Sequence, residues 1–143
     1  MLTVDPATRD AIVAHARLDH PDEACGMVAG VGGKPTRVIP MTNTARSPTF
    51  YEMDSMEVLR TLRDIDDADE ELLAIYHSHT ATEAYPSRTD VSIAGFPEAH
   101  YILVSTRPEL GEQVEFRSYR IVDGGVTEEE VRVEPESGGG GAS

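Results

Sequence analysis

Residues 77 to 90 read HSHTATEAYPSRTD and place two histidines, a serine and an aspartate at short intervals. Side chains at positions i and i+2 of a β-strand point to the same face, so His77 and His79 can direct two imidazoles at one point. Asp90 can supply a third ligand if residues 80 to 86 loop out before a helix. Two histidines, an aspartate and one water form the open tetrahedral arrangement of catalytic zinc. The stretch therefore predicts a metal site.

The serine and the aspartate of this stretch also have a purely structural interpretation. Ser87 followed by Asp90 is typical of a helix N-cap with an acidic residue at the third helical position. The two interpretations are compatible, because a cap would hold Asp90 in place. H-x-H on a strand is by itself a weak signal for a metal ion.

The surrounding chain predicts the elements that support the site. Residues 72 to 76 are a continuous apolar run, which is typical of a central strand covered on both faces, and this run leads directly to His77. Asp54 begins a second capping box, whose helix should bury Val58, Leu59, Leu62 and Ile65. The predicted elements are a helix from residue 5 to 20 with Ala7, Ala11, Ala14 and Leu18 at helical spacing, strands at 25–29 and 36–41, an extended piece at 49–53, a helix from 54, strand 72–76, helix 87–94, strand 100–106, and strands 114–122 and 126–134.

Glycine-rich segments at residues 30 to 35 and 123 to 125 predict hairpin turns. Three helices interleaved with about seven strands, several of them not separated by helices, indicate an α/β layer fold with a mixed sheet. A chain of 143 residues leaves room for one domain. We assign this domain to residues 1 to 134 and expect the Gly-rich residues 135 to 143 to form a disordered tail.

Composition limits the classes of function. The net charge of -14 argues against a nucleic-acid partner, because neutralising phosphates requires a basic face. No apolar run approaches the ~20 residues of a membrane span, and the N-terminus lacks a signal-peptide core, so we expect a cytoplasmic protein with no membrane partner. Cys25 is the single cysteine, which excludes a multi-cysteine zinc site. It is better explained as a small core residue than as a nucleophile.

The spacing H-x-H-x7-S-x2-D, from His77 to Asp90, resembles the signature of the JAMM (MPN+) metallopeptidases. The segment PDEACG at residues 21 to 26 is similar to the P-x-E-x-C-G element that carries the upstream glutamate of that family. Together with NTARSPTFY at residues 43 to 51, these segments resemble the bacterial Mec-type peptidases over most of residues 1 to 134. Thr80 departs from the pattern, since many relatives have proline there; this affects the loop and not a ligand.

The resemblance implies an MPN fold, a layered architecture like that of the cytidine deaminases, and one Zn²⁺ per chain. It implies that His77, His79 and Asp90 are the ligands, that Glu23 is the general base, and that Ser87 stabilises the oxyanion. Zinc would lower the pKa of a water toward ~7, and Glu23 would accept its proton. The ligand set alone does not exclude iron.

The activity that the resemblance implies is removal of cysteine from the C-terminal Gly-Gly of a small ubiquitin-like sulfur-carrier protein, a step in cysteine biosynthesis. The first alternative is a JAMM isopeptidase that removes another ubiquitin-like modifier. The second is a non-catalytic MPN scaffold, a class marked by lost ligands, whereas here every ligand position is filled. A homodimer is compatible with the sequence.

Overall fold

The computed structural model describes residues 1 to 135. The predicted tail therefore lies outside the described residues except for Pro135, and the domain boundary stays a prediction. The elements, in chain order, are β1 (Leu2–Val4), α1 (Pro6–Asp19), β2 (Cys25–Val31), β3 (Lys34–Met41), α2 (Ser55–Asp67), β4 (Glu71–His79), α3 (Arg88–Ile93), β5 (His100–Ser105), a 3-10 turn (Pro108–Leu110), β6 (Glu115–Val122), β7 (Gly125–Glu129) and β8 (Val131–Val133).

Six strands form one mixed sheet in the order β3-β2-β4-β5-β6-β7. Strand β4 lies inside this sheet, antiparallel to β2 and parallel to β5. The remaining strands, β1 and β8, form a parallel two-stranded sheet. The predicted α/β layer fold with a mixed sheet is confirmed, and the run at residues 72 to 76 is a central strand as predicted.

The two faces of the sheet belong to different core layers. Ala74 and Tyr76 of β4 pack in a cluster with Ile12 of α1. Ile75, which lies between them, belongs to a second cluster, against which α2 and α3 pack through Val58 and Val91. Because side chains alternate along a strand, His77 and His79 share the face of Ile75, the face that α3 covers.

The helix at residues 5 to 20 is present, but its buried face differs from the expected one. Ala7, Ala11, Ala14 and Leu18 are all exposed, and Leu18 is 81% exposed. The buried residues of α1 are Thr8, Ile12, Val13 and Ala16. A β-branched pair removes more apolar surface from water than alanine does, which explains why this face is buried. In α2, Ile65 is buried but Leu59 is 48% exposed, contrary to prediction.

The strands differ from prediction at both ends of the chain. The segment 126 to 134, expected to be one strand, is divided into β7 of the large sheet and β8 of the small one. Strand β1, which was not predicted, pairs with β8, and the piece at residues 49 to 53 is not a strand. The hairpin at residues 123 to 125 is confirmed, with φ of 50° at Asp123 and 79° at Gly124. Within residues 1 to 135, none of the helices has the length and apolarity that crossing a membrane requires.

Candidate metal centre

The two histidines of the H-x-H motif lie in the last three residues of β4. Backbone pairing with β2 on one side and β5 on the other fixes this strand end, with His77 opposite Cys25 and Leu103. His77 is 2% exposed and His79 is 5% exposed. Both imidazoles are therefore held on one buried face by a rigid element.

Asp90 reaches this face from the first turn of α3. The side chain of Ser87 accepts a hydrogen bond from the backbone N–H of Asp90 at 3.1 Å. In return, Oδ2 of Asp90 accepts one from the backbone N–H of Ser87 at 2.8 Å. This is the reciprocal capping box that the structural interpretation predicted. The same carboxylate faces both histidines, so capping and clustering occur together.

The donor atoms of the motif converge on a single point. Nε2 of His77 and Nε2 of His79 each lie 3.0 Å from Oδ2 of Asp90. Glu23 joins them, so that four buried residues offer ligand atoms that all lie within 4.8 Å of one another. The structure thus brings together four of the five predicted site residues.

Glu23 lies two residues before β2, at the mouth of the strand as expected. Its backbone N–H donates to the carbonyl of Ser47 at 2.9 Å, and its carbonyl accepts from Nδ2 of Asn43 at 3.0 Å. Its side chain is buried, and Oε1 has no hydrogen-bond partner within residues 1 to 135. Burial raises the pKa of Glu23 to about 8, with a smaller lowering effect of His79.

The hydrogen bonding of His79 tests whether the cluster suits a metal ion. Nδ1 of His79 lies 2.9 Å from the backbone carbonyl of Glu83, which can only accept, so this nitrogen carries the proton. In the neutral ring, Nε2 then presents its lone pair to Asp90. A lone pair and a carboxylate oxygen 3.0 Å apart repel each other unless a proton or a metal ion lies between them. The arrangement fits a divalent cation, and the carbonyl contact is the typical support of a metal-binding histidine.

The pKa values of Asp90 and His77 favour the protonation states that bind metals. The pKa of His79 is raised instead, because its burial is outweighed by hydrogen bonds with Asp90 and the carbonyl of Glu83. Burial acts to raise the pKa of Asp90, but contacts with His77 and His79 outweigh burial and hold that pKa well below its usual range. Burial is the main reason why the pKa of His77 is lowered. An ionised aspartate beside a neutral buried imidazole is the form in which both groups act as ligands.

Ser87 is exposed and forms the N-cap of α3, three residues before Asp90. Its hydroxyl oxygen accepts from the backbone of Asp90, which leaves the hydroxyl hydrogen available as a donor. Its role at an oxyanion stays a prediction. Cys25 is fully buried in the core, and burial raises the pKa of its thiol to about 12, so the thiol is not a nucleophile at neutral pH.

Two residues that the sequence reasoning assigned no role support the cluster. Asn43 is buried and donates to the carbonyls of Glu23 and Phe50, while its own side-chain oxygen accepts from Ala45 and Glu52. The ring of Tyr51 stacks on His77 with centroids 4.5 Å apart. Both lie in NTARSPTFY at residues 43 to 51, and an asparagine after a strand is a signal for such loop bonding.

Comparison with known proteins identifies the family. The family model described as prokaryotic homologs of the JAB domain matches residues 5 to 122. The chain belongs to this JAB/MPN family. The predicted relation to the JAMM (MPN+) proteins is thereby confirmed, and the layered fold is the fold of that family.

The relatives include proteins with named activities. The chain is 64% identical over 126 residues to the CysO-cysteine peptidase of Mycobacterium tuberculosis, covering 87% of this chain and 85% of that protein. It is 34% identical over 111 residues to the desampylase of Haloferax volcanii, covering 73% and 80%. A solution structure of a Desulfitobacterium hafniense protein is 33% identical, with a TM-score of 0.82 and coverage of 95% and 94%.

Proposed function

We propose that this chain is a cytoplasmic zinc peptidase that hydrolyses the amide bond after the C-terminal Gly-Gly of a small ubiquitin-like sulfur-carrier protein and releases cysteine. The observation that carries the proposal is the convergence of His77, His79 and Asp90 beside an unpartnered Glu23 carboxyl. The 64% identity to a CysO-cysteine peptidase supports the substrate. The reaction is a step of cysteine biosynthesis.

The metal is proposed to be one Zn²⁺ per chain, held by His77, His79 and Asp90. When bound there, it supplies a Lewis acid that activates water and polarises the scissile carbonyl. Two imidazole nitrogens and one carboxylate oxygen are donors that zinc accepts in catalytic sites. Iron accepts the same donors, so metal analysis decides between the two.

Glu23 is proposed to move the proton. Its carboxylate accepts the proton of the attacking water, and the resulting acid donates it to the amine that leaves. A general base must lie within reach of the reacting water, and Oε1 of Glu23 is buried beside the proposed ligands with no hydrogen-bond partner in residues 1 to 135. Ser87 would donate its free hydroxyl hydrogen to the carbonyl oxygen as negative charge develops there.

The main competing function is removal of a ubiquitin-like modifier from a lysine of another protein. The relative named desampylase, at 34% identity, is the observation that favours it. A non-catalytic scaffold has less support, since all the proposed ligands are present and converge. The four clustered residues come from one chain, so the proposed ligand set needs no residue of a second copy.

The test compares three purified substrates. One carrier protein ends in Gly-Gly-Cys, a second ends in Gly-Ala-Cys, and a third is isopeptide-linked through Gly-Gly to a lysine of a folded protein. The products are followed by mass. We expect rapid release of cysteine from the first, because a substrate tail that passes between Glu23 and the metal ligands has little room for a β-carbon.

The outcomes separate the two functions. Faster cleavage of the isopeptide conjugate than of the Gly-Gly-Cys carrier would replace the cysteine-releasing role with the deconjugating one. Equal cleavage of the Gly-Ala-Cys carrier would refute the requirement for two glycines. Loss of activity with a chelator and recovery with Zn²⁺ should accompany every positive result.

A further inference from the structure

A cavity of about 420 Å³ opens beside the metal centre, and Glu23 is one of its walls. We call it the Glu23 cavity. Its other walls include His15 and Asp19 of α1, the end of β3 with the two residues that follow it, and Arg46. Because Glu23 is the residue proposed to protonate the leaving amine, this cavity lies where the released part of the substrate must go. The side chains that line the cavity should therefore influence which leaving groups the enzyme accepts.

Among the residues that the structure describes, Arg46 is the only lysine or arginine that lines the Glu23 cavity. Its side chain is exposed. No hydrogen bond or ion pair to another residue in the range 1 to 135 occupies its guanidinium. The backbone at this position has a φ of 46°, in the left-handed region that residues with a β-carbon seldom adopt. Such conformations persist where surrounding contacts impose them, and they concentrate at functional sites.

The contacts that impose this conformation come from Glu23 itself. The turn that carries Arg46 is closed by a hydrogen bond from its backbone N–H to the carbonyl of Asn43 at 3.1 Å. Asn43 donates to the carbonyl of Glu23, and Ser47 accepts from the N–H of Glu23. Asn43 and Ser47, which flank Arg46, are thus bonded to Glu23, and this holds the backbone of Arg46 at a defined place relative to the proposed proton donor.

We propose that Arg46 binds the free α-carboxylate of the C-terminal residue that the enzyme releases, and so selects a terminal amino acid over a protein lysine. The inference rests on the proposed function. In a carrier that ends in Gly-Gly-Cys, one carbon atom separates the scissile amide nitrogen from the terminal carboxylate. When Glu23 faces that nitrogen, the carboxylate lies in the Glu23 cavity. Arginine binds carboxylates through two parallel N–H donors, which makes it suited to this task.

An isopeptide substrate lacks this partner. Its scissile nitrogen belongs to the end of a lysine side chain, and the main chain of that lysine continues as peptide, with no charge beside the nitrogen. Arg46 then has no carboxylate to bind, and the approach of a second protein removes water from its guanidinium. The hydrolysis itself is the same for both: the C–N bond breaks, the glycine carbonyl carbon gains the hydroxyl of the water, and the other proton of the water passes to the amine nitrogen.

Acidic side chains in the same cavity do not compete for the arginine in the structure. Asp19 is bound to His15, with Oδ2 3.1 Å from Nε2. Asp22 is half-buried, and no ion pair joins it to Arg46 in the part of the chain that the structure describes. An acidic wall together with one arginine suits the product as well, since a free amino acid carries an ammonium group and a carboxylate.

The test uses two substrates that differ only in the charge of their C-terminal group. One is the carrier ending in Gly-Gly-Cys with a free carboxylate, and the other ends in the same residues as a carboxamide. We expect the wild-type holoenzyme to prefer the carboxylate by about tenfold in kcat/KM, mainly through KM, as a charge-assisted bond at an exposed site predicts. Arg46→Gln should bring this ratio close to one, and Arg46→Lys should give an intermediate ratio.

Arg60→Ala is the matched control, because Arg60 is exposed on α2 and lines no part of the Glu23 cavity. It should keep the wild-type ratio. A ratio unchanged by Arg46→Gln, with both substrates cleaved, would overturn the role of Arg46 and leave the proposed function intact. Failure of the wild-type enzyme to cleave either substrate would instead refute the proposed function.

Discussion

At the scale of single residues, two carboxylates of the metal centre differ in their surroundings. Oδ2 of Asp90 contacts both histidines and the backbone of Ser87. Oε1 of Glu23 is buried with no partner in the described part of the chain. A carboxylate held by several partners is suited to bind a metal, whereas one without partners is available for proton transfer. The different surroundings are why we propose a metal ligand in Asp90 and a proton carrier in Glu23.

This difference predicts opposite effects of two substitutions. Glu23→Gln should keep the bound metal and lower kcat by at least about 10²-fold, because it removes the proton carrier. Asp90→Ala should weaken metal binding by more than about tenfold, because it removes a ligand. Metal content by mass spectrometry and kcat on the Gly-Gly-Cys carrier measure the two effects.

Glu83→Gln is the matched control, since only the backbone carbonyl of Glu83 contacts His79 and its side chain is exposed. It should retain both metal and activity. If Glu23→Gln and Asp90→Ala lost metal to the same extent, Glu23 would be a ligand and its assignment as the base would be wrong.

At the scale of elements, the loop from residue 43 to 52 is held by one side chain. Asn43 makes four hydrogen bonds and is 6% exposed. Asn43→Ala should lower the free energy of unfolding by about 2 to 4 kcal/mol, because several buried backbone groups lose their partner. Asn43→Asp keeps the acceptor oxygen but sets a buried carboxylate oxygen against the carbonyls of Glu23 and Phe50, so it should also lower the free energy of unfolding. Denaturant unfolding measures both losses.

Asn43→Ala should also impair catalysis, because the loop that Asn43 holds is bonded to Glu23. We expect kcat of Asn43→Ala to fall under conditions in which the protein is still folded, as judged by circular dichroism. A normal kcat in a destabilised protein would show that the loop contributes to stability only.

At the scale of the whole molecule, metal binding should stabilise the fold. The proposed ligands lie on β4 and α3, two elements that the unfolded chain does not hold together, so an ion bound by them should favour the native state. Zinc at 100 times its Kd should add about 2.7 kcal/mol to the free energy of unfolding. A thermal scan should show a lower Tm after chelation and recovery with about one Zn²⁺ per chain. An unchanged Tm would count against the site.

Glu129 predicts how the stability of the metal-free protein depends on pH. Burial acts to raise the pKa of Glu129, but hydrogen bonds from His100 of β5 and Ser118 of β6 outweigh it and lower that pKa. A carboxyl with a lowered pKa in the folded state stabilises the protein fully above its unfolded pKa, about 4.3. The contribution is lost as pH falls through the lower folded pKa. Glu129→Gln should therefore lower the free energy of unfolding at pH 7 and lower it less in acid. Denaturant unfolding at each pH measures the effect.

Comparison of prediction with structure shows which features are local. The H-x-H pair on β4, the capping box of Ser87 and the hairpin at Asp123 were predicted correctly. Each depends on residues within a few positions of one another, and their geometry follows from the period of a strand, the open N–H groups of a helix end, or the φ angles of a turn.

What the sequence by itself determined is therefore the family, the layered fold and the residues that converge at the metal centre. Only the tertiary structure decided that Leu18 is exposed while Ile12 is buried, that the segment after residue 125 is shared between two sheets, and that Asn43 ties the loop of Arg46 to Glu23. Burial and strand pairing depend on residues far apart in the chain, such as Leu2 opposite Val131. A local sequence pattern does not specify which distant segment a strand pairs with.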